Sequence, residues 1–156
     1  FRSEERIKEV LAASESARAR LQELLQEDTT AYSGVLVAYR LPKETPEEKA
    51  ARHQAVQDGL IVAANVPLDI CRVAVEVCRL AKVAAELGNA NAVTDAGIGA
   101  LLGEAAAVGA ALNVRINLGS IEDEAYVRRT AAELDAILAE AAALRADVLA
   151  TTLAKI

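Results

Sequence analysis

The polar groups that could do chemistry in this sequence are few and lie in four places. A loop of Gly88, Asn89, Asn91 and Thr94 leads to Asp95; after a run almost free of charge, polar residues return at Asn113, Arg115 and Asn117. Further back, Asp28 and Ser14 interrupt an apolar stripe that extends from Ile7 to Tyr39. A carboxylate on a core-facing position is costly unless paired or hydrogen-bonded. Asp28 is therefore either a site residue or a polar break where the helix kinks near Thr29, Thr30 and Gly34. Arg40 and Lys43 flank Pro42 on a stiff loop, and two cations held that way suit a carboxylate-bearing ligand, unless they simply face water as a surface pair. Metal chemistry has little support, with one His and no CxxC or HExxH pattern. His53 shows no orienting partner nearby in sequence, so it reads as an exposed helix residue rather than a general base.

The stretch from Ala96 to Leu112 must position the polar groups at its two ends. It is apolar or small on every side, which predicts a helix with no face to spare for solvent and hence a central element. Gly97, Gly99, Gly103 and Gly109 each cost about 1 kcal/mol of helix stability relative to Ala, and close approach of neighbouring backbones is the expected return. At ~3.6 residues per turn Asp95 and Asn113 share a face, with Asn117 one turn further and Glu104 opposite. Asp95 and Asn113 lie about 27 Å apart at ~1.5 Å per residue, too far for one site in one chain. An antiparallel two-fold dimer could bring Asp95 of one protomer near Asn113 of the other.

The rest of the chain supplies the surrounding elements. Helical periodicity is sustained from Ile7 to Tyr39. Thr45, Pro46 and Glu48 spell a capping box that opens a second helix, reaching about Ala64. Pro67 is expected to break or kink the chain, and a third helix then runs from Ile70 to Leu87 with Gly88 as its C-cap. Thr94 is expected to cap the central helix, and Ser120 to open the last one with Asp123 in a capping-box position. The expected fold is one all-α domain over residues 1–156, an antiparallel bundle of long helices around a small-residue-rich central helix.

Composition narrows the partners. A net charge of −6 argues against nucleic acid, which would call for a basic patch. The apolar run falls short of a membrane span because Glu104 interrupts it and Gly and Ala contribute little transfer energy. Cys71 and Cys78 lie about 10.5 Å apart along one helix, beyond the ~7 Å reach of a disulfide, and are expected as buried free thiols of a reducing cytosol. The opening FRSEER resembles neither a signal peptide nor a transit sequence.

Three segments together resemble a known family. They are AYRLPKETPEEKAAR from Ala38, NVPLDICRVAVEV from Asn65, and GNANAVTDAGIGALLGEAAAVGAALNVRINL from Gly88. All are similar to the cyclodeaminase/methenyltetrahydrofolate cyclohydrolase family, the C-terminal half of formiminotransferase-cyclodeaminase, which also occurs as a stand-alone bacterial protein. The resemblance implies an all-helical bundle, a homodimer, a cytoplasmic location and no cofactor beyond the tetrahydrofolate substrate. One departure is that this sequence starts downstream of the family's usual Pro-Gly-Gly-Gly segment and the helix that segment introduces.

The implied chemistry is formiminotetrahydrofolate cyclodeamination, in which 5-formimino-tetrahydrofolate closes to the 5,10-methenyl form and releases ammonia. The alternative is cyclohydrolase chemistry, in which water opens the methenyl bridge to 10-formyl-tetrahydrofolate. Both pass a tetrahedral carbon beside a delocalised cation, where a carboxylate stabilises charge and moves protons. The resemblance thus implies Asp95 and Asp28 as catalytic candidates, Asn89, Asn113 and Asn117 as partners of the pterin's amide edge, and Arg40 and Lys43 as holders of the glutamate tail. A carboxylate raised in pKa by apolar surroundings would act as an acid, which favours cyclodeamination. A non-catalytic helical scaffold, and a lyase for another small molecule, are the competing readings.

Overall fold

The structure is a computed structural model and describes residues 2–156; Phe1, the first residue of FRSEER, lies outside them. Four long α-helices follow one another, α1 (Arg2–Tyr39), α2 (Pro46–Leu87), α3 (Val93–Leu118) and α4 (Glu124–Lys155), with a 3-10 turn at Ala90–Ala92 leading into α3. The all-α expectation holds. Most of the core repeats at intervals of seven: Val10, Ala17, Leu24, Ala31 and Ala38 in α1; Ala64, Cys71, Cys78 and Ala85 in α2; Val93, Ala100, Ala107 and Val114 in α3; Leu134, Ala141 and Val148 in α4. That interval keeps one seam of each helix facing its neighbours, as in coiled coils.

Cross-helix bonds give the directions. Cys71 Sγ donates to Ala107 O and Cys78 Sγ to Ala100 O, so α2 and α3 are antiparallel. The pairs Asn65 with Tyr126, Arg72 with Glu133, and Arg79 with Glu140 keep one constant offset, so α2 and α4 run parallel. The helix that packs along all three others is α2; α3 packs against α2 and α4. The apolar run is therefore not enclosed on every side. One face of α3 carries Ile98, Leu102, Leu112 and Ile116, each more than half exposed. By length and composition Ala90–Leu118 could also cross a membrane, but its opposite face is seated on α2 and α4.

Close approach does explain two of the four glycines. A Cβ at Gly103 would lie 2.7 Å from Cys78 Sγ, and one at Gly97 would lie 3.0 Å from Thr152 Oγ1. At Gly109 nothing lies within 4 Å, and at Gly99 the nearest atom is Ala81 Cβ at 3.9 Å.

Several local expectations change. Pro67 does not end a helix: α2 continues through it over 42 residues. Proline removes the bond to the carbonyl four residues back, and that carbonyl, Ala63 O, accepts instead from Asn117 Nδ2 at 3.1 Å. Helix α1 is likewise continuous through Thr29 to Gly34, where Thr29, Thr30 and Ser33 hydroxyls donate back to carbonyls one turn earlier. Thr94 lies inside α3, whose N-cap is Ala92 with no side-chain cap, because the preceding 3-10 turn already sets the chain direction. Asp123 is itself the N-cap of α4, accepting from Tyr126 N–H. The Thr45–Glu48 capping box is present as expected.

Candidate functional site

A groove lies along α2, with the first half of α1 as one wall and the start of α3 as the other. It has a volume of about 570 Å³. Its apolar surface comes from Val10 and Leu21 of α1, Val77 and Ala81 of α2, and Ala96 and Gly99 of α3. These positions follow from helical periodicity, because the α1 stripe and the α3 small-residue face both turn toward α2. The groove is an apolar trough with a polar edge made by Ser14, Arg18, Asn89 and Asp95.

Two sequence candidates, Asn89 and Asp95, thus both line the groove. Asn89 Oδ1 accepts from Asn91 N–H at 3.0 Å and so fixes the turn that launches α3. Asp95 stands in the first turn of α3 and is exposed at the edge of the groove. A carboxylate there gains from the helix dipole and keeps access to water.

The other candidates lie elsewhere. Arg40 and Lys43 are exposed at the α1–α2 turn, beside Arg52, whose Nε donates to Tyr39 O. Measured along α2 from Arg52 to Ala84, which lines the groove, that turn is on the order of 50 Å from Asp95 at ~1.5 Å per residue. Asp28 is half-buried in mid-α1, next to Glu27 and Ala31 of a second groove of about 470 Å³ between α1 and α2. Asn113 is exposed near the far end of α3. The Asn117 amide is occupied by two main-chain acceptors, Ala63 O and Asn113 O. Within one protomer the candidates therefore form one pair at the groove and a scattered remainder.

Sequence reasoning missed Arg18. The available signal was Ser14, which breaks the α1 stripe; Arg18 follows it by one helical turn and so shares its side. Neither cysteine lies in the groove's lining: both are free and buried, and burial pushes the Cys71 thiol up to about 11, which leaves it inert. His53 is exposed, as expected, and its Nε2 lies 3.0 Å from Glu122, a partner brought from the start of α4 by the fold. Among the described residues no cluster of His, Cys, Asp and Glu could hold a metal ion.

A four-helix chain with an apolar groove edged by an amide and a carboxylate is a small-molecule binding architecture. The chain belongs to the formiminotransferase-cyclodeaminase family, whose sequence profile matches residues 1–136. It is 42% identical over 96% of its length to a methenyltetrahydrofolate cyclohydrolase of Methylorubrum extorquens, of which it covers 72%. It is 37% identical to the formimidoyltransferase-cyclodeaminase of Gallus gallus but spans only 27% of that longer protein. A crystal structure of formiminotetrahydrofolate cyclodeaminase from Thermotoga maritima superposes with a TM-score of 0.82 at 28% identity, over 94% of this chain and 69% of that one.

Proposed function

We propose that the protein is a folate one-carbon enzyme that hydrolyses 5,10-methenyl-tetrahydrofolate to 10-formyl-tetrahydrofolate in the groove at Asp95. The observation that carries the reading is the exposed Asp95 carboxylate at the edge of an apolar trough, in a chain that is 42% identical to a methenyltetrahydrofolate cyclohydrolase. The acid role that favours cyclodeamination needs a carboxylate shielded from water, and Asp95 is exposed. A base that activates water needs the solvent access that Asp95 has.

The apolar trough accepts the flat rings, and Asn89 offers an amide to the pterin edge. Asp95 takes a proton from a water as its oxygen bonds to the cationic methenyl carbon, giving a neutral tetrahedral intermediate. The bond from that carbon to N5 then breaks, the hydroxyl proton passes to N5, and the formyl group stays on N10. One proton is released overall. A carboxylate beside the cation also stabilises the starting positive charge, so its advantage for the transition state lies in proton removal rather than attraction alone.

Cyclodeamination of 5-formimino-tetrahydrofolate is the second reading, favoured by the Thermotoga likeness. The open apolar face of α3 supports a homodimer, since a second copy would cover Ile98, Leu102, Leu112 and Ile116. Arg40 and Lys43 could reach a groove only in such an assembly, from the partner.

The test supplies the two folates separately and follows loss of the methenyl absorbance and release of ammonia. Methenyl loss above the uncatalysed rate without ammonia from the formimino substrate is expected. Ammonia release with slow methenyl loss would reverse the order, and neither signal would return the protein to the class of non-catalytic binders.

A further inference from the structure

We propose that Arg18 holds the glutamate carboxylates of the folate, further along the groove from the one-carbon centre at Asp95. The proposal rests on the reading of this groove as the folate site. Several arginines are already committed between helices: Arg72 binds Glu133, Arg79 binds Glu140, Arg145 binds Glu104 and Arg115 binds Asp135, each across to a neighbouring helix. Arg18 differs. Its Nε donates to Glu15 at 2.9 Å and its Nη1 to Gln22 at 3.0 Å, both exposed residues of its own helix. Such contacts one turn away on an exposed helix face are weak, so an incoming carboxylate can displace them.

Charge and position then agree. Among the described residues that line the groove, Arg18 is the one cation and Asp95 the one anion, on surfaces that are otherwise largely apolar. A carboxylate entering an apolar trough must find a charged donor, and the planar guanidinium offers two parallel N–H groups to it. Register fixes the spacing. Val35 packs against Gly59, and Arg20 Nη2 lies 3.9 Å from Asp69, which places Arg18 beside the Arg72 to Glu76 stretch of α2. The Cys78 to Ala100 bond places Asp95 near Val83 of α2. The two groups are then on the order of 10 to 15 Å apart along the groove at ~1.5 Å per residue. The p-aminobenzoyl ring, its amide and the glutamate side chain span a similar distance, about 10 Å or more at covalent bond lengths of ~1.3–1.5 Å.

The experiment titrates the whole chain with tetrahydrofolate and with tetrahydropteroate, which keeps the pterin and p-aminobenzoate but lacks the glutamate. Arg18→Ala is expected to weaken tetrahydrofolate roughly 10- to 100-fold, the loss of a charge-assisted pair, and to leave tetrahydropteroate unchanged. Arg18→Lys should recover part of the loss. Arg128→Ala removes an exposed arginine paired, among the described residues, with Glu124 near the start of α4, and serves as the control for loss of one positive charge. Equal weakening of both ligands by Arg18→Ala, or of neither, overturns the assignment. Wild-type protein that binds both ligands equally well overturns it too, while leaving the groove as a folate site. Wild-type protein that binds neither overturns the folate reading of the groove and this assignment with it.

Discussion

Asn117 donates its side-chain amide to Ala63 O at 3.1 Å, and Ala63 is the residue whose carbonyl Pro67 leaves without a helical donor. A residue near the end of α3 thereby repairs a defect in the middle of α2 and allows that helix to run on for 42 residues. The same amide also donates to Asn113 O at 2.8 Å, so both its N–H groups serve the backbone. Pro67 itself is fully buried, which explains what the ring contributes in place of the lost bond.

Asn117→Ala should therefore act first on stability. Removing the donor leaves Ala63 O part-buried and unpaired, at a cost of about 1–3 kcal/mol. Pro67→Ala restores the missing N–H, so Asn117→Ala should cost less in that background. Denaturant unfolding of the two single variants and the double variant measures the coupling; additive effects would sever the link between the two residues.

Glycine substitutions in α3 should split by position. Gly103→Ala puts a Cβ 2.7 Å from Cys78 Sγ and 3.2 Å from Ala74 O, and is expected to destabilise by ~1–3 kcal/mol. Gly109→Ala meets nothing within 4 Å and should stabilise by up to about 1 kcal/mol through helix propensity. Thermal melts of both variants would reveal whether close approach or flexibility explains each glycine.

Asp95→Asn keeps the size of an exposed side chain, so the fold should be retained while turnover falls roughly 10²- to 10⁴-fold, the usual worth of a positioned acid or base. Wild-type turnover in this variant would remove Asp95 from the chemistry.

Arg40→Ala and Lys43→Ala should leave KM for the monoglutamyl substrate unchanged, because both residues lie at the far end of α1 and α2 from the groove. A raised KM in dilution-sensitive kinetics would instead show that a second protomer brings them to the site.

Acid should loosen the bundle at the α2–α4 seam. The Arg72 and Arg79 guanidiniums hold Glu133 and Glu140 below the usual carboxylate range. A carboxyl depressed in the folded state contributes stability above its unfolded pKa of about 4.3, and that contribution is lost as pH falls through the lower folded value. Both pairs are partly solvated, so each is worth no more than about 1 kcal/mol. Unfolding of the Glu133→Gln, Glu140→Gln double variant should show a flatter dependence on pH between neutral and strongly acidic buffer than wild type.

The helices themselves were legible in the sequence, since a period near 3.6, the Thr45 to Glu48 capping box and the turn-forming residues around Gly88 are relations between residues a few positions apart. The family resemblance was legible for the same reason, being carried by contiguous motifs such as GNANAVTD and NVRINL. Asn89 and Asp95 are close in sequence, and their placement along one groove needed only that short loop and the first turn of α3. What lay beyond reach was every choice made between helices. Pro67 reads locally as a break, yet α2 continues through it, and the carbonyl it leaves free accepts from an amide on another helix, that of Asn117. The apolar α3 reads as fully enclosed, yet which of its faces meets α2 and which stays open depends on how α2 and α4 pack against it. Arg18 reads as one of many surface charges, and becomes the cation of a groove only because α1 and α3 both pack on α2, at a register that no local periodicity encodes.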